Sequence, residues 1–338
     1  MTKKAARTLP LTANLEEHQK LVNDFVSRVT GSDGIPPFSD QGLVDWKKGA
    51  ATVIAIPTDD AESPTAVRGI ALYSTSIRDR APSSETPLLS TALELSIAPT
   101  DRGMGLGTLL LHEVLRDAQG EVLAWAHGHT PAAQRLAQTH NFKPIRTLLQ
   151  LSAPVPELSE PPANTTVHSG IGDHQDITLR AFKSGQDERA WIELNAVVFA
   201  DHPEQGQITV ADLLVRESEP WFSPGDFILA IDQNGTMLGY NWLKVTPGGD
   251  ETRPSGEIYA IGVSPDAAGR GLGRRLLDAG IQRLRDQGVT RVTLYVEGDN
   301  TPALSLYRSS GFETANTSVH YRREAAPVPS PKPQEPRG

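Results

Sequence analysis

The alternation of apolar and polar positions is clearest in the second half of the chain. "DFILAID" and "MLGYNWLKV" are apolar runs separated by the turn residues "QNG", which predicts a β-hairpin. "GEIYAIGV" alternates and predicts a strand. Beyond the glycine-rich stretch "GVSPDAAGRGLGRRLL", Leu277, Ile281 and Leu284 recur at helical spacing. "RVTLYV" predicts the next strand, and "TPALSLYRSSGF" a short helix with Pro302 in its first turn and Gly311 at its close. Upstream, "DERAWIELNAVVF" reads as a helix. The order is that of a mixed α/β unit with an antiparallel hairpin and a strand–loop–helix–strand core.

The first half repeats this plan. Pro99 and Pro265 are 166 residues apart, as are Gly105 and Gly271, and Gly107 and Gly273. "HTPAAQRLAQTHNF" matches "NTPALSLYRSSGF" at an offset of about 170. Such a period is domain-sized and too long for a solenoid. Two proline-rich, core-poor stretches punctuate the repeat. The expected organisation is an N-terminal domain at 1–152, a linker at 153–176, a C-terminal domain at 177–323 and a disordered tail at 324–338.

Composition narrows the function classes. The 338 residues suit two domains, and a net charge of −9 argues against a broad nucleic-acid footprint. There is no cysteine, hence no disulfide framework or thiolate metal site. "HGH" at 127–129 is a tight histidine pair that reads as a polar strand end, and no metal is expected. "MTKKAARTLPLTANLEEHQ" lacks the apolar stretch of a secretory signal, and no apolar run reaches membrane-span length. The expectation is a soluble, cytoplasmic, monomeric protein with no membrane or nucleic-acid partner.

The glycine loop has two readings: a plain turn, or an anion cradle. Unpaired N–H groups and a partial positive charge at a helix start attract phosphate, and glycines at 269, 271 and 273 allow close approach. Arg270 and Arg274 add positive charge. A Walker loop is excluded because residues 273 to 275 are Gly-Arg-Arg, and a dinucleotide fingerprint because its third glycine would fall at Arg274.

The strand–"GVSPDAAGRGLGRRLL"–helix unit followed by "LYVEGDNTPALSLYRSSGF" resembles the Gcn5-related N-acetyltransferases. "LELSIAPTDRGMGLGTLLLHEVL" gives the first half the same resemblance, with Arg102, Gly105 and Gly107 matching the family's loop, where the second half has Ala268 at the leading position. The implied fold is two tandem domains, each a mixed, mostly antiparallel sheet flanked by helices. The implied cofactor is acetyl-CoA. In the second half its contacts would be Ile261, Gly262, Val263, Ala268, Gly269, Arg270, Gly271, Leu272, Gly273 and Arg274, then Asn300, Thr301, Pro302, Ala303, Leu304 and Ser305. In the first half they would be Leu95, Ser96, Ile97, Gly103, Met104, Gly105, Leu106, Gly107 and Thr108.

"FADHPEQGQIT", "GYNWLKV", "GEIYAIGV" and "LYVEGDN", with "DGIPPFSDQ" and "WAHG" in the first half, resemble a narrower actinobacterial branch that acetylates the cysteinyl amine of cysteinyl-glucosaminyl-inositol. That resemblance implies substrate contacts from Asp40, Glu204, Lys244, Glu257 and Tyr295. It also implies Glu257 as the base that takes the amine proton through water, and Tyr307 as the acid for the departing thiolate. Without it, Glu257 would read as a solvated strand-end carboxylate and Tyr307 as a packing tyrosine. Alternation puts Glu257 on one face with Tyr259, Ile261 and Val263, and Gly262 is expected to admit the ligand closely.

In the first half Glu257 maps to Thr91 and Tyr307 to Leu136 or Ala137, while Glu94 has the opposite parity and is expected to face away. The first domain is therefore expected to bind acetyl-CoA without turnover. The alternatives are acetylation of another small amine, such as an aminosugar or amino acid, and acyl-CoA sensing without chemistry.

Overall fold

The computed structural model describes residues 7–58, 65–78, 88–156, 177–200, 205–248 and 253–325. The first half of the chain runs β1 (Leu9–Leu11), α1 (Glu16–Asp33), α2 (Asp40–Lys47), β2 (Thr52–Pro57), β3 (Val67–Arg78), β4 (Leu88–Ile97), α3 (Leu106–Asp117), β5 (Glu121–Ala126), α4 (Pro131–Thr139) and β6 (Lys143–Pro154). The second half runs β7 (Thr178–Ala181), α5 (Glu188–Val198), α6 (Val210–Glu217), β8 (Phe227–Ile231), β9 (Met237–Thr246), β10 (Ser255–Val263), α7 (Leu272–Asp286), β11 (Arg291–Glu297), α8 (Thr301–Ser309) and β12 (Glu313–Arg323). Every element anticipated for the second half is present, and the β8–β9 hairpin is antiparallel.

The chain divides into two compact units, one reaching Leu148 and including residues from Thr317 on, the other running from Leu149 to Asn316. The sequence boundaries at 152 and 177 follow composition. The structural division follows strand pairing and falls inside β6 and β12. In the first unit the strand order is β1-β2-β3-β4-β5-β12. Its β4–β5 pair is parallel, whereas β5–β12 and the β1–β4 ladder are antiparallel. Val319 and Tyr321 of β12 complete a core with Leu93, Leu110, Val114 and Phe142. On the other face α1 and α2 pack Phe25, Val29 and Trp46 against Val53, Ile70 and Leu72.

In the second unit the order is β6-β11-β10-β9-β8-β7, with β10–β11 parallel and β7 to β10 antiparallel. Leu151 and Ala153 of β6 join Leu243, Ile258, Leu294, Leu277 and Tyr307 in the core beneath α7 and α8. The opposite face carries an aromatic cluster, in which Trp191 of α5 packs edge-on against Tyr240, Trp242 and Phe227.

Candidate active site

In both units the glycine loop leads into a helix by the same backbone path. Gly103 and Gly105 have φ of 77° and 80°, and Gly269 and Gly271 have 73° and 84°. These left-handed values favour residues without a Cβ. Gly105 and Gly271 are the N-cap residues of α3 and α7, and neither helix receives a side-chain cap. The first-turn N–H groups are thus left to a ligand, which is what an anion site at a helix start requires.

The arginines serve the cradle less directly than charge alone suggests. Arg274 reaches across to α8, donating to Ser310 Oγ at 2.5 Å, to Ser309 Oγ and to the Leu306 carbonyl at 3.5 Å. Arg102 forms a two-pronged pair with Asp33 at 2.5 and 3.1 Å and donates to the Ile97 carbonyl. Arg270 stays exposed beside the second loop. Ala268 closes the turn before that loop in an extended conformation, φ −66° and ψ 155°. Asn300 caps α8 by accepting the Ala303 N–H at 3.2 Å, ahead of Thr301, Pro302, Leu304 and Ser305 on the same helix.

A bulge reshapes β10, the strand that carries Glu257. Glu257 pairs with Lys244 and Ile258 with Leu243, but Ala260 pairs with Trp242, so Tyr259 is an extra residue. This corrects the face assigned by simple alternation. Glu257 lies with Tyr259, Ala260 and Gly262 on the aromatic face, whereas Ile261 and Val263 face α7, where they pack with Leu272 and Leu276. The expected purpose of Gly262 also changes: a Cβ there would lie 2.9 Å from the Tyr240 ring, so the missing side chain makes room for Tyr240.

Three of the expected substrate residues share this face. Lys244 of β9 is opposite Glu257, and Thr293 of β11 is its other neighbour. Tyr295 is two residues further along β11, 53% exposed, and accepts a hydrogen bond from Gln150 Nε2 at 3.1 Å. Burial lifts the Glu257 carboxyl above the usual carboxylate range, and the Lys244 charge opposes that shift. Lys244 Nζ also sits 5.2 Å from the Trp221 ring centroid. Asp40 begins α2 in the first unit and is exposed. Glu204 lies outside the described residues.

Tyr307 belongs to the other face. It is 5% exposed among Leu304, Phe312 and Val296, and burial pushes its phenol up to about 12. The two candidate proton carriers thus flank the sheet from opposite sides. The sheet is open where they flank it, because registered β10–β11 pairing covers 256–258 and stops there.

The first unit shows the same opening, with β4–β5 pairing ending at Glu94 and Trp125. A cleft of about 850 Å³ lies there, lined by Leu95, Ser96, Ile97, Gly103, Gly105, Gly107 and Thr108, with His127 and Trp125. Leu106 is buried at the base of α3, and Met104 is exposed and contacts Arg68. Glu94 does not face away. It is opposite Leu72, on the α1–α2 face, 7% exposed. It accepts the Ser39 N–H and pairs with His127 Nε2, both at 3.0 Å. Parity failed because β4 has no bulge and β10 does. The register with β5 and β11 makes Ala92, not Thr91, the counterpart of Glu257. Phe142 N–H bonds to Ala137 as Phe312 N–H bonds to Tyr307, so Ala137 is the counterpart of Tyr307. Among the described residues no cluster suits a metal ion, and no helix is long and apolar enough to cross a membrane.

Residues 191–312 match the model of the acetyltransferase (GNAT) family. A mycothiol acetyltransferase from Kocuria rhizophila is 38% identical over 88% of this chain and 93% of its own. The chain belongs to the mycothiol acetyltransferase family. Another member of that family, from Nocardiopsis dassonvillei, is 42% identical over 70% of this chain and 76% of its own. Two solved structures share the fold of this mycothiol acetyltransferase family member. A GCN5-related N-acetyltransferase from Sphaerobacter thermophilus has a TM-score of 0.64 at 24% identity over 95% of this chain and 96% of that one. A tandem GNAT protein from the clavulanic acid pathway has a TM-score of 0.62 at 16% identity, covering 95% and 99%.

Proposed function

We propose that the protein is an N-acetyltransferase that moves an acetyl group from acetyl-CoA to the cysteinyl amine of cysteinyl-glucosaminyl-inositol, the acetylation that forms mycothiol. The observation that carries this reading is the placement of Lys244, Glu257 and Tyr295 on one sheet face, beside an opening that leads to a glycine-capped helix. The uncapped first turn of α7 fits a pyrophosphate, so residues 271–274 would hold the coenzyme.

Bound acetyl-CoA supplies the acyl group as a thioester. Glu257 takes the proton that the ammonium must lose, directly or through a water. Its raised carboxyl is a stronger base than a solvated glutamate, closer to the amine it serves. The Lys244 charge limits that rise. Tyr307 is held as a neutral phenol and gives its proton to the departing thiolate from the opposite side of the opening. The backbone of residues 261–263, past the end of β11 pairing, offers N–H groups to the developing negative charge.

The first unit is proposed to hold acetyl-CoA without turning it over. Its cleft and cradle are formed, but Ala137 has no hydroxyl and Ala92 no carboxylate. Glu94 is already engaged by Ser39 and His127.

Incubation of the protein with acetyl-CoA and the cysteinyl pseudodisaccharide should yield a product heavier by one acetyl group in mass spectrometry. Acetylation of a different small amine, with none of this one, would replace the reading by the broader acetyltransferase alternative.

A further inference from the structure

The sheet face beneath α3 and α4 in the first unit lacks bulk that the second unit keeps. Thr130 caps α4 by accepting the Ala133 N–H, as Asn300 caps α8 by accepting that of Ala303. The two helices therefore align at an offset of 170 residues, with Ala137 at the position of Tyr307. Carried into the preceding strands, the same offset pairs Ala124 with Leu294 and Ala126 with Val296. Strand register agrees, since Leu93 is opposite Ala124 as Ile258 is opposite Leu294. In the second unit Leu294, Val296 and Tyr307 are packed into the core. In the first, methyl groups replace their isobutyl, isopropyl and hydroxybenzyl groups.

The missing side chains leave room. On this face the cleft of about 850 Å³ is lined by Leu93, Leu111, Ala124, Ala126, Ala137 and Phe142, none of which has a polar side chain. Tyr321 of β12, opposite Ala124, adds to the wall, and its hydroxyl lies 3.3 Å from His129 Nδ1. Leu93, Leu111, Ala137 and Phe142 are buried, so the lining belongs to the core and not to an exposed patch. Large-to-small changes in a core cost stability when the space stays empty. Apolar space of this kind excludes ordered water and takes up hydrocarbon instead.

The cleft is also continuous with the cradle, because Gly103, Gly105 and Gly107 line it too. Leu111 is about 9 Å further along α3 than Gly105. A ligand with its phosphates at the helix start thus has an apolar chamber within reach of its other end.

Building on the reading of this unit as a coenzyme holder, we propose that its cleft selects a coenzyme thioester whose acyl group is a saturated chain longer than acetyl. The chain lies on the α3–α4 face, with its end against Leu93, Leu111 and Phe142. Acetyl-CoA fits the same cradle but leaves the chamber unfilled. Ala124, Ala126 and Ala137 set the permitted length, because a larger side chain at each would occupy the path of the chain. With no hydroxyl at Ala137 to protonate the sulfur, the thioester is held intact.

The test is calorimetric titration of the full chain with CoA, acetyl-CoA and hexanoyl-CoA, using wild type, Ala137→Leu, Ala126→Val and Gly105→Ala. One wild-type site should bind hexanoyl-CoA at least about tenfold more tightly than acetyl-CoA, since each buried methylene is worth about fourfold. Ala137→Leu should cut that preference to about threefold or less while CoA itself binds as in wild type. Ala126→Val should reduce it in the same direction, and it serves if the bulkier leucine overpacks the core. Gly105→Ala should weaken all three ligands at this site alike. Equal affinity of wild type for the acetyl and hexanoyl thioesters would overturn the proposal and leave the first unit a holder of acetyl-CoA. A chain-length preference that survives both cleft-filling variants would overturn it as well, because the chain then lies elsewhere. A single site for all three ligands, unchanged by Gly105→Ala, would remove the coenzyme reading of the first unit and the proposal with it.

Discussion

Glu257 and Lys244 face each other directly across the β9–β10 ladder, two residues before Tyr259 bulges out of register. β10–β11 pairing ends one residue beyond Glu257, at Ile258 and Leu294, so the two opposed residues lie beside the opening between β10 and β11. Burial pushes the Glu257 carboxyl up and the Lys244 charge restrains it.

Glu257→Gln should lower kcat by roughly 10²-fold or more, with the loss shrinking as pH approaches the amine's own pKa. A kcat equal to wild type at neutral pH would remove Glu257 from the base role.

The same variant should show a stability signature. A carboxyl raised in the folded state contributes fully in acid, where both states are protonated, and costs stability as pH rises through the folded pKa. Glutamine has no such dependence. The Tm of Glu257→Gln minus that of wild type should therefore increase as pH rises above about 4, where an unfolded glutamate ionises. A flat or falling difference would contradict the partly buried, raised carboxyl.

Tyr307→Phe keeps the core volume and should change stability by less than about 1.5 kcal/mol while lowering kcat at least roughly tenfold. Denaturant unfolding and steady-state kinetics separate the two. An acyl donor with a more acidic thiol should recover part of the loss, because its thiolate leaves without a proton. Unchanged kcat with CoA as leaving group would reduce Tyr307 to a packing residue.

Gly271→Ala places a Cβ at φ 84°, a strain of about 1–2 kcal/mol at the mouth of the second cradle. KM for acetyl-CoA should rise. Gly105→Ala imposes the same strain at φ 80° in the first unit and should cut coenzyme stoichiometry in calorimetry while turnover continues. Complete loss of turnover in a folded Gly105→Ala protein would refute a silent first cradle.

Glu94→Ala leaves the Ser39 N–H and the His127 ring without their acceptor and should destabilise the protein by about 1–3 kcal/mol in chemical denaturation. A smaller effect would mean that water replaces the carboxylate.

Local sequence was enough for α5, the β8–β9 hairpin, β10, α7, β11 and α8 of the second half and for the two glycine loops, because these rest on neighbours. Apolar spacing along α7, the QNG turn before β9 and the positive-φ demand at Gly269 and Gly271 are local properties of the chain. It also placed Lys244, Glu257 and Tyr295 together, by resemblance rather than by spacing. Tertiary structure decided what depends on a partner strand. The extra residue at Tyr259 is visible only against β9, and it turned Ile261 and Val263 away from Glu257. The lack of a matching bulge in β4 brought Glu94 to the α1–α2 face. Tertiary pairing likewise assigned the end of β6 to the second unit and the end of β12 to the first. A strand's pattern states which face it buries but not which edge will accept it, since backbone hydrogen bonds carry no residue code and only the assembled sheet supplies the open edge.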